Sequence, residues 1–183
     1  MTDLQWDEVW PFFDPELMGT LPDVVIEETG VEDWQALLDL IGSRGWECAY
    51  CEDGEACTLP AASELLARKD VTVELKVWPA PGLLAIFRPW GGAESINFDI
   101  DLRQVQGQER LEIFCTFFAA IGRRLRKPVL MMPEGHDEHP VLGFDVAADR
   151  VVLLADPDQF ACPSLGSATW ASSDGLDPQP SDP

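Results

Sequence analysis

The sequence predicts an α+β fold: a single domain with a mainly antiparallel sheet, one long helix and two shorter helices. Three observations predict it. Apolar and polar residues alternate in VTVELKVW at residues 71–78, which is typical of a strand with one buried face. Neighbouring strands are joined by short Gly/Pro turns, as in an antiparallel meander. The apolar period then changes to 3.6 between residues 103 and 126, which indicates a long helix.

The first shorter helix is predicted from residue 29 to about residue 45. Thr29 and Glu32 have the spacing of a capping box, and Gly45 is a typical helix stop. Between them, apolar residues follow one another at i, i+3, i+4 and i+7: Trp34, Leu37, Leu38 and Ile41. This pattern predicts an amphipathic helix of about three turns.

The segment from residue 46 to residue 102 is predicted to hold a strand, the second shorter helix and three further strands. A short strand over 46–50 leads into a turn, and the helix is expected over 60–69, with a proline near its start. The alternating strand at 71–78 ends at a pair of prolines. LLAIFRPW at 83–90 and SINFDIDL at 95–102 then complete an antiparallel meander.

The long helix carries its apolar stripe on Leu111, Phe114, Cys115, Phe118, Ile121 and Leu125. Its last turn holds the basic cluster of the chain, Arg123, Arg124, Arg126 and Lys127. Because cations complement the negative end of a helix dipole, this cluster is expected to have a structural role. Three short apolar strands are predicted after it, at 129–132, 141–146 and 151–156.

Composition bounds the possible functions. The chain has 183 residues with 33 acidic and 12 basic side chains, which gives a formal net charge of −21. A chain this acidic repels phosphates, so nucleic acids and anionic membranes are disfavoured as partners, and a cationic partner is favoured. The acidic N-terminus does not resemble a signal peptide, and no apolar run is long enough to span a bilayer, so a cytoplasmic location is expected.

The acidity is concentrated at the two ends of the chain. Residues 1–43 hold eleven acids and no base, whereas residues 44–130 hold twelve acids and eleven bases. We therefore expect an acidic, aromatic N-terminal segment at 1–28 and an α+β domain at 29–160. An acidic tail at 161–183, rich in Ser, Asp, Pro and Gly, is expected to be disordered.

The N-terminal segment carries rings among its acids, which either pack on the domain or anchor a partner. The candidate partner-binding residues combine these rings with acids elsewhere in the chain: Trp6, Asp7, Glu8, Trp10, Asp14, Glu27, Glu28, Asp137 and Glu138. An anionic surface of this kind would accelerate association with a basic protein.

Local signatures of catalysis and cofactor binding are weak. Glu134, His136, His139 and Asp145 lie close together in sequence and have the residue types of a divalent-metal site, but their spacing is not HExxH. Cys48 and Cys51 form a CxxC that no second pair or nearby histidine completes. GxSxG, GxGxxG and phosphate-binding Gly-rich motifs do not occur. No catalytic residue, metal or cofactor is therefore predicted.

Three stretches carry a resemblance to a known group: the basic helix end at 123–127, the strand and Gly-containing loop at 129–135, and the P-x-L-x-F-D pattern at 140–145. Within residues 29–155, the chain resembles small acidic immunity-type proteins encoded beside polymorphic toxins, especially in actinobacteria. The resemblance implies a non-catalytic inhibitor that covers the active site of a toxin domain. A basic domain such as a nuclease would complement the acidic surface.

Two alternatives stay open on the sequence. One is a small metal-dependent enzyme that uses the 134–145 loop. The other is an acidic chaperone or adaptor for a secreted effector, which would bind a partly unfolded partner, whereas an immunity protein would bind a folded and active one.

Overall fold

The computed structural model describes residues 3–135 and 139–155. Its α-helices are α1 (Trp6–Val9), α2 (Pro15–Met18), α3 (Val31–Arg44), α4 (Ala62–Leu66) and α5 (Gln108–Leu125). Its strands are β1 (Asp23–Ile26), β2 (Glu47–Glu52), β3 (Glu55–Cys57), β4 (Val73–Ala80), β5 (Leu83–Phe87), β6 (Ile96–Ile100), β7 (Val129–Met132), β8 (Leu142–Asp145) and β9 (Arg150–Leu153). Short 3₁₀ turns lie at Trp10–Phe13, Pro89–Gly91 and Leu102–Gln104.

The nine strands form one sheet in the order β3-β2-β4-β5-β6-β1-β7-β8-β9. Every pairing is antiparallel, so the predicted α+β class with an antiparallel sheet is confirmed. The predicted meander is present, since β4, β5 and β6 are successive neighbours. Among the described helices, none is long and apolar enough to cross a bilayer.

Helix α5 packs on β4, β7, β8 and β9 at one face of the sheet, and α3 packs against α5 on the same side. Alternation along the strands decides which side chains face them: Val73, Leu75 and Val77 of β4 are buried, whereas the residues between them are partly exposed. In this layer the ring of Phe118 contacts the rings of Phe114 and of Phe98 on β6. Among the described residues, the opposite face of the sheet is not covered by a helix, and we call it the open face.

The N-terminal segment is part of this architecture. Its residues Phe12, Phe13 and Met18 are buried, and Phe13 packs edge-on against Phe114 of α5 with the ring centroids 5.3 Å apart. Strand β1 lies inside the sheet, between β6 and β7. The boundary expected at residue 28 therefore does not separate a segment from a domain, because a four-residue strand before it joins the two halves of the sheet. The tail expected at 161–183 lies outside the described residues.

Several helices begin or end at residues other than those predicted from the sequence. Helix α3 is capped by Gly30, whose N–H donates to Oδ2 of Asp33 at 3.0 Å, while the Thr29 hydroxyl donates to the carbonyl of Ala93. The expected capping box at Thr29 and Glu32 is therefore not formed, and only its carboxylate-to-N-cap bond is present, one residue later. The helix ends as expected at Gly45, which has φ +64°. Helices α4 and α5 are shorter than predicted, and β1 and β3 were not predicted.

Candidate functional site

The open face presents a polar strip where β5, β6, β1 and β7 lie side by side. Asp23 of β1 is the cross-strand partner of Asp99 on β6 and, on its other side, of Met132 on β7. Val25 pairs in the same way with Asn97 and Leu130. Successive residues of a strand point to opposite faces of the sheet. Ile96, Phe98 and Ile100 of β6 are buried on the helix-covered face, so the side chains named above lie on the open face.

A groove of about 640 Å³ lies over this strip, and we call it the acidic groove. The strands form its floor, and Trp90 on one side and Gly135 and Pro140 on the other form its walls. The lining residues are Asp23, Val25, Glu27, Arg88, Trp90, Asn97, Phe98, Asp99, Leu130, Met132, Gly135 and Pro140. Three of these carry a negative charge and one carries a positive charge, so the described lining is net acidic.

Arg88 and Asp99 form an ion pair at the centre of the groove. The Arg88 guanidinium also lies 3.8 Å from the Glu74 carboxylate and 5.2 Å from the ring centroid of Trp90. The Trp90 side chain leaves most of its surface in solvent, since the residue is 72% exposed. One guanidinium is therefore already held here by two carboxylates and an indole face.

The ion pair with Arg88 does not bring the pKa of the Asp99 carboxyl back to its ordinary value. Burial raises the pKa of the Asp99 carboxyl above its ordinary value; Arg88 opposes this shift, and the carboxylates of Asp23 and Glu134 reinforce it. Like charges placed directly opposite each other on neighbouring strands are unfavourable. The groove can therefore accept a further positive charge with relief of this repulsion.

A second, apolar groove of about 360 Å³ lies beside the first and shares Leu130 with it. It runs over β7, β8 and β9, and its lining includes Val146 and Leu154, which are 43% and 44% exposed. Gly143 forms part of its floor, where a Cβ atom would lie 2.9 Å from Cδ2 of Leu130. Glycine at position 143 thus allows the close approach of Leu130 and of the Val129 carbonyl oxygen, which would lie 2.6 Å from a Cβ atom there.

The structure disperses the predicted partner-binding residues. Asp7, Glu8 and Trp10 are exposed on the N-terminal helical turns, but Trp6 is half-buried against Phe13, with ring centroids 5.7 Å apart. Asp14 caps α2 by accepting a hydrogen bond from the Glu16 N–H.

The remaining candidates lie near the sheet or outside the described residues. Glu27 is exposed and lines the acidic groove, whereas Glu28 has φ +55° and its carbonyl accepts a hydrogen bond from Lys127 Nζ. Asp137 and Glu138 lie outside the described residues.

The proposed metal-binding loop is only partly described, because His136 lies outside the described residues. Oε2 of Glu134 accepts a hydrogen bond from the Leu21 N–H at 3.2 Å, and Oδ1 of Asp145 accepts one from the Ala148 N–H at 2.8 Å. His139 is exposed. Among the described residues, no group of three or more His, Cys, Asp or Glu side chains is arranged to hold a metal ion.

The basic cluster at the end of α5 is engaged within the chain. Arg123 Nε donates to Oδ1 of Asp149 at 2.6 Å, and Lys127 Nζ donates to the Glu28 carbonyl at 2.8 Å. Arg124 Nε donates to the Ala36 carbonyl of α3 at 3.3 Å. These three residues therefore tie α5 to the β8–β9 turn, to α3 and to the β1–α3 connection, in keeping with the structural role expected for the cluster. Cys48 and Cys51 carry free thiols.

Sequence reasoning missed Asp23, Arg88, Trp90 and Asp99. One signal was present, because INFDI alternates apolar residues with Asn97 and Asp99, so one face of that strand had to be polar. What the sequence did not show was the neighbour of β6. The strand that places Asp23 opposite Asp99 is four residues long and lies about 70 residues earlier in the sequence.

Comparison of the chain with protein families, with characterised proteins and with solved structures found no match.

Proposed function

We propose that the protein is a non-catalytic inhibitor that binds and neutralises a toxin domain with a basic surface, and that it acts in the cytoplasm. The observation that supports this proposal is the way in which the chain uses its positive charges. Arginines pair internally with acids of the same chain: Arg68 with Glu52, Arg88 with Asp99, Arg103 with Asp101, Arg123 with Asp149 and Arg150 with Asp3.

This internal pairing leaves the carboxylates in large excess, because 33 acids face 12 basic residues. Exposed acids such as Asp7, Glu8, Glu27 and Glu28 add to a long-range negative field. A field of this sign attracts a basic protein and repels phosphates, so it favours a protein partner over nucleic acid. An inhibitor has to capture its target quickly, and electrostatic steering raises association rates by about 10- to 1000-fold at low salt.

The class of partner rests on the resemblance to immunity-type proteins that residues 29–155 carry. Such a protein needs no catalytic centre and no cofactor, since occlusion of the toxin's active site is sufficient. A nuclease domain fits the acidic surface well, because its substrate is an anion and its cleft is accordingly basic.

The test is co-expression with the protein encoded by the neighbouring gene. If the proposal is right, the chain restores growth to cells that express the toxin domain, and a 1:1 complex co-purifies with it. The association rate, measured by stopped flow, should fall at least about tenfold between low and high salt. A partner that remains folded and active when released distinguishes inhibition from a chaperone role. Absence of both rescue and co-purification at low salt would contradict the proposal.

A further inference from the structure

Among residues 3–135 and 139–155, no helix or strand covers the centre of the open face. Strand β1 is hydrogen-bonded on both sides, yet Asp23 and Val25 face a groove rather than a covering element. On the other side of the same strand, Val24 and Ile26 are fully buried under the helices. A central strand with one face in the core and the other in an open groove presents a rigid, preformed surface, which reduces the entropic cost of binding.

The two adjacent grooves give this face a composition typical of an interface. The acidic groove contains the exposed indole of Trp90, and the apolar groove contains the exposed side chains of Val146 and Leu154. Leu130 lines both grooves, so a single partner surface can occupy them together. Aromatic anchors next to apolar area, surrounded by charged groups, are typical of binding hot spots.

The internal ion pair shows which chemistry the acidic groove recognises. Asp99 and the Trp90 ring hold the Arg88 guanidinium, while Asp23 and Glu27 have no Lys or Arg within ion-pair distance among the described residues. A carboxylate beside an aromatic face suits guanidinium better than ammonium, because guanidinium is planar, stacks and is more weakly hydrated. Oδ2 of Asp23 accepts a hydrogen bond from the Gly135 N–H at 3.0 Å, which leaves its Oδ1 and the Glu27 carboxylate for a second guanidinium.

We propose that the open face is the docking surface for a basic protein, and that an arginine of this partner enters the acidic groove between Asp23 and Glu27, beside the exposed ring of Trp90. Apolar residues next to that arginine pack on the groove around Leu130. Charge complementarity supports this occupant, since the described groove lining carries three acids and one base in a chain of net charge −21. The identity of the partner as a toxin rests on the proposed function, but the recognition of arginine does not.

The experiment is an NMR titration of the full-length, ¹⁵N-labelled chain with the peptide acetyl-Gly-Arg-Gly-amide. The control peptide carries citrulline, which has nearly the same shape as arginine but no charge. Two double variants remove the same amount of charge from different faces. Asp23→Asn with Glu27→Gln changes the groove, whereas Asp7→Asn with Glu8→Gln changes the N-terminal helix. Circular dichroism establishes that both variants are folded.

The arginine peptide should shift the amide signals of β1, β6 and the turn at Trp90, and citrulline should leave them in place. The groove variant should weaken peptide binding at least about tenfold, and the helix variant less than about twofold. Both variants lose two negative charges, so the difference between them measures the local contacts in the groove rather than the long-range field. Trp90→Ala, at an exposed position, should also weaken binding. Shifts spread evenly over the acidic surface, or equal losses in both double variants, would overturn the assignment. These results do not depend on toxin neutralisation, so the two proposals fail separately.

Discussion

Replacement of Gly122 by alanine should destabilise the protein, although intrinsic helix propensity predicts the opposite. Gly122 lies in α5, where alanine is favoured over glycine by about 0.5–1 kcal/mol. However, its Cβ atom would overlap with Cδ1 of Phe144 on β8 and would lie 2.6 Å from Cγ of the same ring. Phe144 is 1% exposed, so its ring has little room to move.

The size of the effect follows from these two opposing contributions. Overpacking a well-filled core costs about 1–3 kcal/mol. The gain in helix propensity, about 0.5–1 kcal/mol, offsets only part of this cost. We therefore expect the free energy of unfolding to fall by about 0.5–2 kcal/mol. Gly42 is the matched control, because it lies in α3 and a Cβ atom there would meet nothing within 4 Å. Gly42→Ala should stabilise the protein by about 0.5–1 kcal/mol.

Urea denaturation followed by tryptophan fluorescence and circular dichroism measures both variants. Gly122→Ala should lower the free energy of unfolding, and Gly42→Ala should raise it. In the double variant Gly122→Ala with Phe144→Leu, the smaller side chain at residue 144 should restore part of the stability lost in Gly122→Ala. If Gly122→Ala proved as stable as wild type, or if it matched Gly42→Ala, the close approach of α5 to β8 would be refuted.

Three further predictions test the N-terminal segment and the acidic groove. Phe13→Ala should lower the free energy of unfolding by about 3–5 kcal/mol in urea denaturation, because the ring is fully buried against α5; a loss below about 1 kcal/mol would show that the segment is peripheral. Because the pKa of Asp99 is raised, its carboxyl binds a proton more readily in the folded chain, and the stability linked to that proton is lost as pH rises through the raised pKa. As the pH rises from about 4 to 7, Asp99→Asn should therefore become more stable relative to wild type. A difference in free energy of unfolding between the two proteins that does not change with pH would contradict this expectation. Trp90→Ala should change the free energy of unfolding by less than about 0.5 kcal/mol, since the residue is 72% exposed, and a larger loss would assign the ring a structural role.

The parts of the fold that the sequence predicted are those with strong periodicity. Strand β4 alternates over most of its length, and α5 repeats its apolar stripe over 18 residues, so each pattern could be assigned without knowledge of its neighbours. Strand β1 has four residues, which is too short for alternation to distinguish it from a loop. The pairing of such a strand is decided by tertiary contacts, which sequence periodicity does not encode.

The candidate site shows the same limit. Glu27 was predicted as a partner-binding residue because it is acidic, and it lines the groove. Asp99 belongs to a strand that was predicted, but its significance depends on Asp23, which lies 76 residues earlier in the sequence and opposite it in the sheet. Acidic composition therefore indicated the sign of the site's charge, whereas strand order determined its location.

The position of β1 has a consequence for how the chain assembles. Its hydrogen-bonding partners β6 and β7 follow it by about 70 and 100 residues, so β1 stays unpaired until those two strands have been synthesised. Until β1 pairs with them, β6 and β7 each keep an unsatisfied edge, which is a template for association with other chains. For the same reason, a peptide that spans residues 3–27 could complement a chain from which these residues have been deleted, by filling the slot between the two half-sheets.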